Sequence, residues 1–218
     1  MKRNFQVIIL DFDGVLVPSN EIKTGAFRTV FSEFPKHVET MMQFHQENVS
    51  ISRVEKFCHL IRVCLGRKDD PVLLDRLLKS FSREVSGKIA ACSATQGSIE
   101  FLEEFSSRIP LYLTSVTPME ELSWILEKRR LKKYFRDFFG DPPVSKKGAV
   151  RMVAEQEGCP ASEMVLVGDS LGDWQAACDA GTAFIGYDSG LPLPVEAVKF
   201  SDWASIGDYL RPAEAVAS

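Results

Sequence analysis

The apolar run Val7-Ile8-Ile9-Leu10 leads without a break into Asp11-Phe12-Asp13-Gly14-Val15, and this junction constrains the fold more than any other stretch. A short apolar run with no polar face fits a strand buried on both sides, as in a parallel sheet covered by helices. Open sheets of that kind bind ligands outside the carboxyl ends of their strands, and two carboxylates stand at such an end here. Strand residues alternate, so Asp11 and Asp13 point to one side of an extended segment. Gly14 then lets the backbone turn through dihedrals that other residues avoid. Two like charges this close repel unless a cation lies between them or one takes a proton. Either outcome suits chemistry, because one carboxylate can attack while its protonated neighbour donates to a leaving group. The bland alternative is an Asx turn that caps the strand. Segments further along the chain weigh against it.

The strand pattern spans Gln6 to Leu10, and from about Asn20 to about Lys88 the pattern is almost purely helical, with turn signals at Phe34-Pro35, Asn48 to Ser50 and Gly66 to Pro71. A helical insertion therefore begins right after the Asp-x-Asp loop. Beyond Ala91 the periodicity predicts a helix over Gly97 to Ser107, a strand over Pro110 to Leu113, a helix over Pro118 to Arg130 and a short segment near Phe135 to Gly140. A helix from Lys146 to about Glu157, a strand over Met164 to Val167, a helix from about Asp173 to Ala180 and a strand over Ala183 to Ile185 follow. Strands alternating with helices imply βαβ units and a parallel sheet, the α/β class. The end of the chain, Pro212 to Ser218, is expected to fray.

A chain of 218 residues, 45% of them hydrophobic, can bury a substantial core as one domain or as one domain carrying an insertion. Its charges are mixed, 26 Lys and Arg against 30 Asp and Glu for a net −4, which leaves no footprint for nucleic acid or an anionic membrane. The N-terminus lacks the apolar length of a secretory signal and no apolar run could span a bilayer, so a cytoplasmic location is expected. Cys58, Cys64, Cys92, Cys159 and Cys178 show no CxxC pairing. They read as reduced thiols in or near the core.

Three later strand ends carry polar residues. Leu111-Tyr112-Leu113 runs into Thr114-Ser115, whose hydroxyls can donate to a phosphoryl oxygen, although Ser and Thr also serve as helix caps. Val144-Ser145-Lys146-Lys147 offers an ammonium at the start of a helix, where lysines are ordinarily solvated. Val165-Leu166-Val167 ends in Gly168-Asp169-Ser170-Leu171-Gly172-Asp173, and Asp169 and Asp173 lie one helical turn apart, able to face one cleft. A second acidic loop at a strand end, parallel to the first, is hard to explain as capping alone.

Together these segments resemble the haloacid dehalogenase (HAD) superfamily over essentially the whole chain. The motifs stand in family order: Asp11 to Leu16, the hydroxyl at the second strand end, the lysine, and Val167 to Asp173. The resemblance implies a Rossmann-like doubly wound core in two parts, residues 1–16 and 91–218, with an all-α cap over 17–90. It also implies that Asp11 is a nucleophile forming an aspartyl-phosphate and that Asp13 is the general acid and then base. Asp11, the backbone carbonyl of Asp13 and Asp169 would bind Mg²⁺, with Asp173 supporting them. The family's strand-hydroxyl-proline pattern fits best with Ser115 as phosphate donor, leaving Thr114 as alternative. Lys146 is preferred to Lys147 because Ala149 and Val150 follow it at helical spacing.

Phosphoryl transfer is mostly positioning and charge neutralisation, and the resemblance supplies each part: Asp11, Lys146, Ser115, Asp13 and a hard cation. The implied activity is a Mg²⁺-dependent phosphatase acting on a small phosphorylated metabolite, working as a monomer or homodimer. A phosphomutase on the same core is the alternative, and a non-catalytic regulatory protein a more distant one. Within the cap, Ser52-Arg53 resembles a loop whose arginine holds a second anionic group of the substrate, and Lys56 follows at helical spacing. Both could equally form a solvated face. His45 is expected on the surface or in the cap core, and Trp124, Trp174 and Trp203 are expected to pack.

Overall fold

The first strand, β1 (Val7–Asp11), is buried along its whole length in the computed structural model, which describes residues 4–211. The tail expected to fray lies outside the described residues. Behind β1 the helical insertion folds as α1 (Asn20–Phe31), α2 (Val38–Glu47), α3 (Arg53–His59) and α4 (Pro71–Ala91), with a π turn at Leu60–Cys64 after α3. The breaks between these helices fall where the turn signals stand. Asp70 caps α4 by accepting from the Leu73 amide, and Pro71 fills the first position, where a missing N–H costs nothing.

The rest of the chain alternates: α5 (Ser98–Phe105), β2 (Leu111–Ser115), α6 (Met119–Lys128), β3 (Asp137–Gly140), α7 (Lys146–Glu157), β4 (Met164–Gly168), α8 (Leu171–Ala180), β5 (Ala183–Tyr187), β6 (Val198–Phe200) and α9 (Trp203–Leu210). All the strands pair in parallel in the order β3-β2-β1-β4-β5-β6. The chain builds outward from β1 in one direction and then returns to its other side, so β1 lies at the switch point where doubly wound sheets open a crevice. The fold is α/β, doubly wound, with helices flanking the sheet.

Alternation along β1 sends Val7 and Ile9 to the face packed against Ala149, Val150 and Val153 of α7, and Ile8 and Leu10 to the opposite face with Leu102 and Ile125. The second face is continuous with the apolar interior of the insertion, where Phe27, Phe57 and Phe81 meet.

Five details depart from the sequence reading. Thr114 and Ser115 lie inside β2 because the ladder extends through Asp11 opposite Thr114 and Ser115 opposite Gly140. The short segment before Gly140 is a full strand, and β6 and α9 were not anticipated. Trp203 is buried as expected, whereas Trp124 is 44% exposed, with the Lys128 ammonium over its ring. Cys178 is exposed on α8, while Cys159 is buried; all five cysteines are free thiols. Among the described residues no helix is long and apolar enough to cross a membrane.

Candidate active site

Asp11 is the last residue of β1, and the chain turns away behind it through a tight loop in which the Gly14 amide donates to the Val17 carbonyl. Gly14 sits at φ +77°, and a Cβ there would fall 1.8 Å from Asp169 Oδ2. The glycine is thus what lets the two acidic loops meet. Asp169 follows directly on β4, and Asp173 stands in the first turn of α8, where it forms a reciprocal cap with Ser170. Gly168 is equally confined, since a Cβ would lie 2.3 Å from that of Asp173.

Asp11, Asp169 and Asp173 each bring a carboxylate oxygen within 4.8 Å of the others, and all three are buried. Lys146, the first residue of α7, reaches across to Asp11 Oδ1 at 2.9 Å and also pairs with Asp173. Burial and then the charge of Asp173 push Asp11 well above the ordinary carboxylate range; Lys146 opposes them, and Asp169 and Asp13 add to the rise. Burial and Asp173 likewise raise Asp169 to about 6, against donation from Asn20 and Ser189. Too much negative charge is packed here for one lysine to neutralise.

Asp13 faces a different set of partners. Ser19 donates to Oδ1 at 2.6 Å, Ser115 and Thr117 donate to Oδ2 at 2.9 and 3.2 Å, and the Lys23 ammonium lies 2.6 Å from Oδ2. Burial alone would raise this carboxyl, but the charge and hydrogen bond of Lys23 and the hydroxyls of Ser19 and Ser115 together hold it at about 2. Asp11 and Asp13 are therefore adjacent but electrostatically opposite.

Other candidates resolve by position. Ser115 reaches Asp13, whereas the Thr114 hydroxyl is buried with no hydrogen-bond partner among the described residues. Lys147 points away and pairs with Asp179 at the surface, so Lys146 alone enters the site. Ser19, Asn20, Lys23, Thr117 and Ser189 were not anticipated. The signal for the first three was a helix starting directly behind the loop, whose first turn had to face the carboxylates.

A cleft of about 230 Å³ opens over these groups and is closed from the other side by the insertion, including Phe27, His45, Arg53, Lys56 and Phe81. Arg53 is buried, and its fork is filled by Glu121 of α6 at 2.7 and 2.9 Å, with Ser82 a third partner at 3.0 Å. Lys56 is also buried and donates to His45 Nδ1 at 2.9 Å and to the Val49 carbonyl at 3.2 Å. His45 lies in the interior of the insertion, one of the two positions expected.

Comparison with known proteins shows the family and the fold. Residues 8–187 match the family described as haloacid dehalogenase-like hydrolase. A phosphoglycolate phosphatase of Pseudomonas syringae pv. syringae is 26% identical over 205 residues, covering 88% of this chain and 74% of that protein. A crystal structure of a predicted phosphoglycolate phosphatase from Haemophilus somnus superposes with a TM-score of 0.76 at 16% identity, covering 95% of this chain and 98% of that one. A Bacillus subtilis chain described as a HAD-hydrolase and solved bound to magnesium superposes with a TM-score of 0.70 at 16% identity, covering 96% of this chain and all (100%) of that one.

Proposed function

Because the chain belongs to the haloacid dehalogenase-like hydrolases, we propose that it is a phosphoric monoester hydrolase that cleaves a small phosphorylated metabolite through an aspartyl-phosphate on Asp11. The observation that carries this reading is the pairing of Asp11 with Lys146 and the Asp169–Asp173 carboxylates on one side, and with the separately held Asp13 on the other. Pairs of titratable groups whose surroundings push their pKa values apart mark an acid–base division of labour. The name of the Pseudomonas relative makes phosphoglycolate the first ester to try.

Asp11, Asp169 and Asp173 fit a hard divalent cation: the donors are all oxygen, they are buried, and burial together with their mutual repulsion raises Asp11 and Asp169 against Lys146 and, for Asp169, the hydrogen bonds of Asn20 and Ser189. Mg²⁺ held there would neutralise phosphoryl oxygens and bring Asp11 into its ionised form, inverting the local pKa order. Asp11 then attacks phosphorus as the ester P–O bond breaks, and the leaving oxygen takes a proton from Asp13. Water next gives a proton to Asp13 and attacks the same phosphorus, which releases phosphate and regenerates Asp11. Lys146 stands between nucleophile and phosphoryl group, and the Ser115 hydroxyl can turn from Asp13 to an incoming oxygen.

Lys23 holds Asp13 ionised in the resting state, the form that accepts a proton from water. Donation in the first half requires that ion pair to loosen and Asp13 to take up a proton from solvent before the ester bond breaks. Lys23 belongs to α1, so movement of residues 17–90 as a cap against the sheet would couple closure to the protonation of Asp13.

Phosphate release from a panel of esters with Mg²⁺, by the parent and by Asp11→Asn, tests the proposal. The parent should release phosphate, chelator should stop it, and the variant should be inert. An isomerised ester without free phosphate would show a mutase instead, and no turnover of any ester would overturn the reading.

A further inference from the structure

Three of the four Lys and Arg residues that line the cleft are already neutralised: Lys146 by Asp11 and Asp173, Lys23 by Asp13, and Arg53 by Glu121. Lys56 is different. Its ammonium has three N–H donors; one goes to His45 Nδ1 and one to the Val49 carbonyl, and no carboxylate among the described residues pairs with it. It lies 5.0 Å from the centre of the Phe27 ring and is only 2% exposed. Burying a cation without a counter-charge is costly. Here the cost is visible in a lysine pushed down to about 7, chiefly by burial.

His45 fixes where that ammonium points. An ammonium only donates, so Nδ1 must accept, and the ring proton therefore sits on Nε2, facing the Thr24 hydroxyl at 3.0 Å. Phe27 packs against the imidazole with centroids 4.6 Å apart. A charge held this firmly at a cleft wall, with one donor unused, is preorganised for an anion that arrives with the ligand.

We propose that Lys56, positioned by His45, is the specificity-determining residue of the cleft and reads a carboxylate on the substrate, at the end away from the phosphoryl group. The inference rests on the phosphatase reading of the same cleft. A carboxylate suits the site better than a second phosphate because one compact cation with one free donor matches a single negative charge. The volume of about 230 Å³ is also below the ~300–1,000 Å³ typical of drug-sized ligands, which favours a skeleton of few carbons. Arg53 is left as a structural cation, its fork filled by Glu121.

The test compares kcat/KM for phosphoglycolate and for hydroxyethyl phosphate, which exchanges the carboxylate for a hydroxymethyl group. The parent should prefer phosphoglycolate by about 10- to 100-fold, the range for a hydrogen bond to a charged group. Lys56→Gln, which keeps donors for His45 and Val49 but no charge, should bring the ratio close to one through KM. Lys56→Arg, a second variant in case the first does not fold, should keep most of the preference. His45→Leu should raise KM for phosphoglycolate more than for hydroxyethyl phosphate, which a merely structural role would not do. Phosphate release from other esters of the panel but from neither of these two would overturn the carboxylate inference and leave the phosphatase reading standing, whereas release from no ester at all would defeat the phosphatase reading itself. Hydrolysis of both with a parental ratio near one, a ratio unmoved in Lys56→Gln, or a stronger preference for a two-carbon bisphosphate would overturn the carboxylate inference alone.

Discussion

Arg53 on α3 and Glu121 on α6 form a buried two-point ion pair at 2.7 and 2.9 Å that ties the helical insertion to a helix flanking the sheet. The Ser82 hydroxyl donates to the same Glu121, and the guanidinium lies 4.7 Å from the centre of the Phe81 ring. Removing either partner leaves the other as an uncompensated buried charge. Arg53→Leu and Glu121→Leu should therefore each destabilise by about 3–5 kcal/mol, and the double variant should recover much of the loss. Denaturant unfolding of the four proteins gives the coupling. Strictly additive losses would mean that the pair contributes nothing as a pair.

Gly14 offers a geometric test of the site. Alanine there would be strained at φ +77° and would drive its Cβ into Asp169 Oδ2. Gly14→Ala should lose activity by orders of magnitude while its far-ultraviolet circular dichroism stays near the parental spectrum. Near-parental turnover would mean that the two acidic loops need not approach as closely as they do here.

Lys56 makes a prediction about pH. Burial and the charge of Lys23 push its ammonium down to about 7, Glu55 pulls the other way, and neutral His45 adds no charge because burial and Lys56 hold it at about 4. Above about pH 7 the ammonium is lost, so KM for phosphoglycolate should climb there while hydroxyethyl phosphate shows no such limb. The stability consequence has the opposite sense. An unfolded chain keeps that proton up to the ordinary lysine range, so between about 7 and 10.5 it binds more protons than the folded one and this group makes stability rise with pH. Thermal unfolding of parent and Lys56→Gln across that window reads the difference, and parallel curves would contradict it.

Asp13 should matter most where the leaving group needs a proton. Asp13→Asn is expected to slow alkyl phosphates by about 10²–10⁴-fold and aryl phosphates distinctly less. Equal losses for both classes would remove its role as the leaving-group acid.

Asp11 and Asp169 were legible because each stands at a strand end, where an apolar run stops at a polar residue, and parallel strands bring those ends together. Lys146, at the start of α7, was singled out by the family's motif order and by the helical spacing of Ala149 and Val150, with Lys147 left as the alternative. Ser19 and Lys23 were hidden because their contact with Asp13 depends on the angle at which α1 leaves the loop, which Gly14 sets and no periodicity records. Arg53 stood in a recognisable loop, but its partner Glu121 lies 68 residues away on α6, a pairing only the fold can supply. Strand β6 is three residues long and mostly exposed, too short for an alternating pattern.

The central claim, that Asp11 carries the phosphoryl group, can be read chemically. The protein is mixed with Mg²⁺ and excess phosphoglycolate, quenched during turnover, reduced with borohydride and digested for peptide mass spectrometry. An acyl phosphate is reduced to an alcohol, so homoserine should appear at position 11 only when substrate was present. Homoserine at position 13, or no reduced residue at either position during full turnover with the intermediate demonstrably accumulating, would contradict the account.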